Sequence, residues 1–193
     1  MHDLSRRTVL AAAALAVEGR SIIGAQAQQA PTPECRDADD PTPPQIEGPF
    51  FKPRTPERAD LVEPNTRGKI ALLEGRILNR SCRAVPGALI ELWHADARGE
   101  YDNRGFRYRG HIRADAAGRY RFRTIVPAPY PGRTRHYHVK VQAPQRALLT
   151  TQLYFPGEPL NAEDGLFDPA LVMRVTQGGD AVAAGFDFVL DFT

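Results

Sequence analysis

Near its C-terminus the chain reads Phe186-Asp187-Phe188-Val189-Leu190-Asp191-Phe192. Phe186, Phe188, Leu190 and Phe192 recur at every second position and alternate with Asp187, Val189 and Asp191, the period of a strand with one mostly apolar face. Working back from there, the same short, strand-like texture returns in Leu148–Phe155, in HYHVKVQ (His136–Gln142), in GRYRFRTI (Gly118–Ile125), in ALIELWH (Ala88–His94) and in IALLEGRIL (Ile70–Leu78). Turn signals separate these runs: Pro86-Gly87, Ala97-Arg98-Gly99, Asp115-Ala116-Ala117-Gly118 and Pro131-Gly132. Six or so short strands with frequent turns predict an all-β chain with a β-sandwich core. Only Asn161–Leu171 hints at a short helical turn, and no internal repeat is evident.

Upstream of residue 69 the texture changes. Residues 28–68 are rich in proline, polar and acidic residues and read as an extended arm that wraps or links, so the sandwich is expected over residues 69–193. Ahead of the arm, Ser5-Arg6-Arg7-Thr8-Val9-Leu10 is followed by the apolar Ala11–Val17 and by the small-residue pattern Ala25-Gln26-Ala27. This has the form of a twin-arginine export signal over residues 1–27. Cleavage after Ala27 leaves 166 residues in the periplasm or outside the cell. Since that route exports proteins already folded, often with a cofactor installed, it favours a metal or cofactor protein.

Composition narrows the function classes. The chain has 193 residues, with 25 Lys+Arg against 23 Asp+Glu, and lacks the basic excess of a nucleic-acid binder. No uninterrupted run of about 18 apolar residues exists, so no stable membrane insertion is expected once the signal is removed. The 17 prolines disfavour a helical bundle. Two cysteines, Cys35 and Cys82, are too few for a four-cysteine zinc site, and after export they are candidates for one disulfide. A homo-oligomer is compatible with all of this.

Four histidines follow the expected signal. His136 and His138 flank Tyr137 in a strand-like run, so both imidazoles project from one face and form a natural chelate for a first-row metal. An H-x-H pair by itself is also compatible with a core or surface pair. Its surroundings add Tyr130, held between Pro129 and Pro131, and Tyr101, just after a turn. Phenolate is a hard anionic ligand that suits Fe(III), whereas zinc more often recruits cysteine or carboxylate. His94 and His111 lack ligand spacing and read as structural, and Trp93 reads as core.

Four segments together carry a resemblance. They are TPPQIEGPFF (Thr42–Phe51), ELWHADARGEYDN (Glu91–Asn103), ADAAGRYRFRTIVPAPYPGRTRHYHVKV (Ala114–Val141) and LTTQLYFPGEP (Leu149–Pro159). In order and content they resemble the intradiol ring-cleavage dioxygenases, over roughly residues 41–160. The resemblance implies a β-sandwich core and a non-haem Fe(III) held by Tyr101, Tyr130, His136 and His138. It also implies cleavage of a catechol-type small molecule with O2, between the two hydroxylated carbons, to a cis,cis-muconate-type diacid. By the same resemblance Tyr130 is the displaced ligand that serves as a base, Arg133 stabilises negative charge on the ring, and Gln152 lies near the active site. The stretch Pro131–Arg135 is shorter than is usual in the family, and that stretch helps to form the pocket wall.

Two other readings fit parts of the sequence. A non-catalytic secreted β-sandwich binding module explains the strand-and-turn texture, but not the coincidence of two tyrosines with H-x-H. A periplasmic copper protein could use His136 and His138, but Met173 is the only methionine beyond the expected signal and no cysteine stands close in sequence.

Overall fold

The computed structural model describes residues 40–193. The expected export signal, Cys35 and the first part of the arm lie outside the described residues. Cys82 is disulfide-bonded. Among the described residues nine strands follow one another: β1 (Ile70–Asn79), β2 (Leu89–Trp93), β3 (Arg109–Arg113), β4 (Arg119–Ile125), β5 (His136–Gln142), β6 (Leu148–Tyr154), β7 (Arg174–Gly178), β8 (Ala181–Gly185) and β9 (Phe188–Leu190). They form two sheets of a β-sandwich. One has the order β4-β1-β8-β7, with β9 beside the end of β1, and the other has the order β3-β2-β5-β6. No helix among the described residues is long and apolar enough to cross a membrane.

Alternation builds the core. Along β5, Tyr137, Val139 and Val141 are fully buried and join Ile90 and Leu92 of β2, Leu73 and Ile77 of β1, and Phe122 of β4. Each such aliphatic or aromatic side chain contributes about 1.5–3 kcal/mol when taken from water. The Tyr137 hydroxyl, buried with its ring, donates to the Ile125 carbonyl at 2.8 Å. The period of two therefore turns His136, His138 and Lys140 to the opposite, outer face of this sheet.

The arm covers that outer face and the sheet edges. Residues 40–69 hold no strand, only single bridges at Glu57 and Asp60. Gln45 N–H donates to the Thr150 carbonyl beside β6, Arg58 N–H to His111 beside β3, and Leu61 N–H to Arg123 beside β4. Thr42 reaches β9: its N–H donates to the Val189 carbonyl at 2.9 Å, and its hydroxyl accepts from Val189 N–H at 2.9 Å. Three of the four sheet edges are thus occupied by the protein's own chain, which blocks pairing with other molecules.

Six expected strands are present, and three strands escaped the periodicity reading. β3 begins with a fully buried arginine, Arg109. β7 is a mostly exposed edge strand, and β8 is Ala-Val-Ala-Ala-Gly, whose small side chains give little alternation. The Phe186–Phe192 strand is shortened to Phe188–Leu190, because the chain crosses β1 at Gly75 between β8 and β9. There Phe186 N–H donates to the Glu74 carbonyl, the Asp187 carboxylate accepts from Arg76 N–H and the Phe186 carbonyl accepts from the Tyr120 hydroxyl at 2.8 Å. The helical hint over Asn161–Leu171 corresponds to two short 3-10 turns, Pro159–Ala162 and Pro169–Leu171.

The crossing leaves no space for a side chain at Gly75, where a Cβ would stand 1.7 Å from the Phe186 carbonyl oxygen. Gly75→Ala is expected to lower stability by about 2–3 kcal/mol, the upper range for overpacking. The measurement is the urea midpoint, which should fall with an unchanged slope.

Candidate active site

Strand register assembles the centre. In the antiparallel pairs His138 stands opposite Trp93 of β2 and opposite Gln152 of β6, while His136 stands opposite Tyr154. The His138 ring lies flat on the Trp93 indole, with centroids 4.9 Å apart and planes 8° apart. Above the sheet, Gly48 of the arm approaches so closely that a Cβ would sit 3.3 Å from His138 Cε1, and its φ of +76° disfavours any side chain.

Two loops bring the tyrosines. The first follows β2, where the Asp96 carboxylate accepts from Arg98 N–H and Glu100 N–H and so turns the chain toward Tyr101. The second is closed by paired backbone bonds between Tyr130 and Arg133, with Pro131-Gly132 at its centre, which places Arg133 beside Tyr130. Asp96 joins the loops by accepting from Ala128 N–H at 3.0 Å. Phe50 of the arm stacks on Tyr101 at 4.3 Å, and the Tyr101 and Tyr130 rings meet edge to face at 5.8 Å.

The donor atoms converge. His138 Nε2 is 3.1 Å from His136 Nε2 and 3.0 Å from the Tyr101 hydroxyl. His136 Nδ1 lies 2.7 Å from the Thr134 carbonyl, which can only accept, so Nδ1 carries the proton and Nε2 presents a lone pair. Burial, and then the Arg133 charge, push His136 down to about 4. Burial, and then His136, push His138 well below its ordinary value. Both rings are therefore neutral at pH 7. Burial, and then neighbouring Tyr130, push the Tyr101 phenol up, so that it keeps its proton unless a cation replaces it.

Lone pairs and phenol oxygens packed this closely suit a metal ion. Separations of 3.0–3.1 Å match adjacent vertices of a coordination sphere with metal–nitrogen bonds of about 2.1 Å. Among the described residues no three His, Cys, Asp or Glu side chains form such a group. The donor set is two imidazoles with two phenols, hard and partly anionic.

Arg133 and Gln152 join the same cluster. The Arg133 side chain reaches the Tyr130 hydroxyl through Nη1 at 3.5 Å and donates through Nη2 to Gln152 Oε1. Gln152 Nε2 donates to the Ile46 carbonyl of the arm at 3.2 Å. All six residues singled out in the sequence, Tyr101, Tyr130, Arg133, His136, His138 and Gln152, thus lie together.

A family model described as a dioxygenase matches residues 46–192, which begins inside the arm and takes in all nine strands. The chain belongs to the intradiol ring-cleavage dioxygenase family. Among its relatives, the protocatechuate 3,4-dioxygenase beta chain of Burkholderia cepacia is 33% identical over 152 residues, or 64% of this chain and 65% of that one. A catechol 1,2-dioxygenase of Pseudomonas sp. EST1001 is 29% identical over 153 residues, 65% of this chain and 51% of that one. The chain therefore spans between half and two thirds of the length of these curated relatives. Among solved structures, the dioxygenase domain of a dioxygenase carbohydrate-binding protein fusion from Streptomyces sp. SirexAA-E is 53% identical, with a TM-score of 0.78. The match covers 80% of this chain and 100% of that domain.

Residues outside the predicted set also shape this cluster. Arg109, fully buried, donates to the Phe50 carbonyl at 2.6 Å and to the Asp102 carbonyl at 3.2 Å. It thereby buckles the arm to the Tyr101 loop. Asp164 receives Arg133 Nε at 2.9 Å. Among the described residues the other two histidines bond within the fold: His94 Nδ1 lies 2.7 Å from the Ala95 carbonyl and its Nε2 2.6 Å from the Thr124 hydroxyl, while His111 Nδ1 meets the Thr55 hydroxyl of the arm.

Burial pushes His94 down to about 4, as it does His136. The unfolded chain, with histidines near 6.5, binds more protons between those values, so stability must fall as pH falls through that window. Chelator-treated protein should keep its full urea midpoint above about pH 6.5 and lose it progressively toward about pH 4. A midpoint level from pH 7 to pH 5 would contradict the assignment of neutral, buried histidines.

Proposed function

We propose that this chain is a non-haem Fe(III) dioxygenase that opens a catechol-type ring between its two hydroxylated carbons, with both atoms of O2 entering a cis,cis-muconate-type diacid. Tyr101, Tyr130, His136 and His138 would hold the ion. The observation that carries the reading is the convergence of His136 Nε2, His138 Nε2 and the Tyr101 hydroxyl within 3.0–3.1 Å, beside Tyr130 and Arg133. When bound, the ion would supply a Lewis-acidic, redox-active centre for the two catechol oxygens and couple the ring to O2.

The chain's own residues supply the rest. Thr134 fixes the His136 tautomer, and the Trp93 face fixes the plane of His138. Tyr130, as its phenolate, would take a proton from a catechol hydroxyl. Arg133, tied to Gln152, offers a fixed cation for negative charge developing on the ring. Phe50, stacked on Tyr101, keeps water from that side of the pocket.

The names of the relatives, protocatechuate 3,4-dioxygenase and catechol 1,2-dioxygenase, support the substrate class. The Streptomyces domain, matched over its whole length, supports a catalytic unit of this size. A blue-copper site would want a sulfur ligand, and Met173 instead packs in the sandwich core. We also infer export of the folded protein, which the Arg6-Arg7 pair and Ala25-Gln26-Ala27 support.

The purified protein should contain about one iron per chain, as one four-ligand cluster implies, with a visible tyrosinate-to-iron absorption and one O2 consumed per catechol. The double variant His136→Ala/His138→Ala should be colourless and inactive, and a coloured, active double variant would refute the site. Lysine keeps the charge of Arg133 and loses its planar fork. Arg133→Lys should retain iron and anaerobic catechol binding while kcat drops about 10²–10³-fold, the scale of losing one preorganised donor.

A further inference from the structure

Arg133 is aimed by a residue outside the cluster. The Asp164 side chain is 1% exposed and that of Arg133 is 16% exposed, so the ion pair between them is shielded from water. Asp164 Oδ2 accepts from Arg133 Nε at 2.9 Å and from Thr134 N–H at 3.0 Å. Its Oδ1 accepts from Leu166 N–H at 3.0 Å and lies 3.1 Å from Arg133 Nε. Burial opposes the charge on this carboxyl, but the Leu166 N–H and Arg133 outweigh it and hold Asp164 below the usual carboxylate range.

The choice of nitrogen matters. An arginine can offer a carboxylate either its Nη groups or its Nε–H. Here the carboxylate takes Nε, the N–H nearest the stem, and leaves both Nη groups for the site. Nη1 then faces the Tyr130 hydroxyl and Nη2 faces Gln152. A residue that only anchored its own loop would need the Leu166 N–H and nothing else. Asp164 also grips Thr134, whose carbonyl holds His136 and whose hydroxyl donates to Asn161 Oδ1 at 2.8 Å. The carboxylate is thereby locked to the strand that it serves and cannot drift with the loop.

We propose that Asp164 is a positioning residue, which fixes the Arg133 guanidinium through Nε so that both Nη groups face the reacting ring. The proposal rests on the reading of Arg133 as the group that stabilises ring charge.

Two measurements test it. In chelator-treated protein the Arg133 Nε–H should give a slowly exchanging 1H–15N signal, and in Asp164→Asn that signal should exchange rapidly. Rapid exchange in the parent protein, or an unchanged signal in the variant, overturns the proposal whether or not the protein turns over catechol. In iron-loaded protein, D164N should keep its iron, colour and anaerobic catechol affinity, while kcat falls about 10–100-fold, the usual loss when a supporting partner is removed. In the Arg133→Lys background the same change should cost little more, because the two residues act as one unit. Losses that multiply in the double variant, or iron loss from D164N, would make Asp164 a structural residue and overturn the proposal. Asp164→Glu, which keeps the charge, repeats the cycle if D164N does not fold, with the same two readings of the double variant. Parent protein with neither iron nor turnover would refute the dioxygenase reading, and the exchange measurement would still decide what holds Arg133.

Discussion

Every contact at the centre depends on the register in which β5 lies between β2 and β6. With His138 opposite Trp93 and Gln152, one ring gains a flat aromatic floor and one amide a place at the pocket. A slip of one residue would exchange the faces of the strand, sending both imidazoles into the sandwich and Tyr137 out of it. The slip is opposed from the other side of the sheet. Tyr137, Val139 and Val141 are fully buried, and the Tyr137 hydroxyl has its partner in the Ile125 carbonyl. An apolar core thus sets the position of polar groups on the opposite face of the strand.

The polar side of that strand is arranged by charge. Four donors lie together, and among the described residues no carboxylate completes a metal-binding group with the histidines. The Asp164 carboxylate is engaged by Arg133 Nε and by the Leu166 and Thr134 N–H groups. Carboxylates placed among the donors would compete with phenol oxygens for the same cation. Asp164 balances the guanidinium, and the proposed ion would take the phenols as its anionic ligands.

Most of this was legible in the sequence because it rests on local patterns. The period of two in His136–Gln142 turns both imidazoles the same way, and the frequent turns imply a sandwich. The tyrosines and the Arg133–Gln152 pair came from motif order. The unread parts are held by distant partners. Asp164 sits in an irregular segment whose only local signal was a helical turn, and its role exists only through residues thirty positions earlier. Arg109 breaks the alternation of a strand because it serves the arm, 59 positions away. β7 and β8 pair as an exposed edge strand with a run of small residues, so neither carries hydrophobic contrast.

Thr42 and Val189, bonded in both directions, are 147 positions apart. Between Thr42 and the first strand lie Gly48 and Phe50, which stand against His138 and Tyr101. Their segment is held by the edges of β6 and β9, and β9 is made after the other eight strands. On a ribosome the pocket cannot be completed from one end, since its earliest residues wait for its latest. Folding must close long loops before they are rewarded, which places such a sandwich among the chains that fold in milliseconds to seconds rather than microseconds. The cluster of imidazoles and phenols is thus a late product of the whole sandwich, finished only when its first and last segments have met.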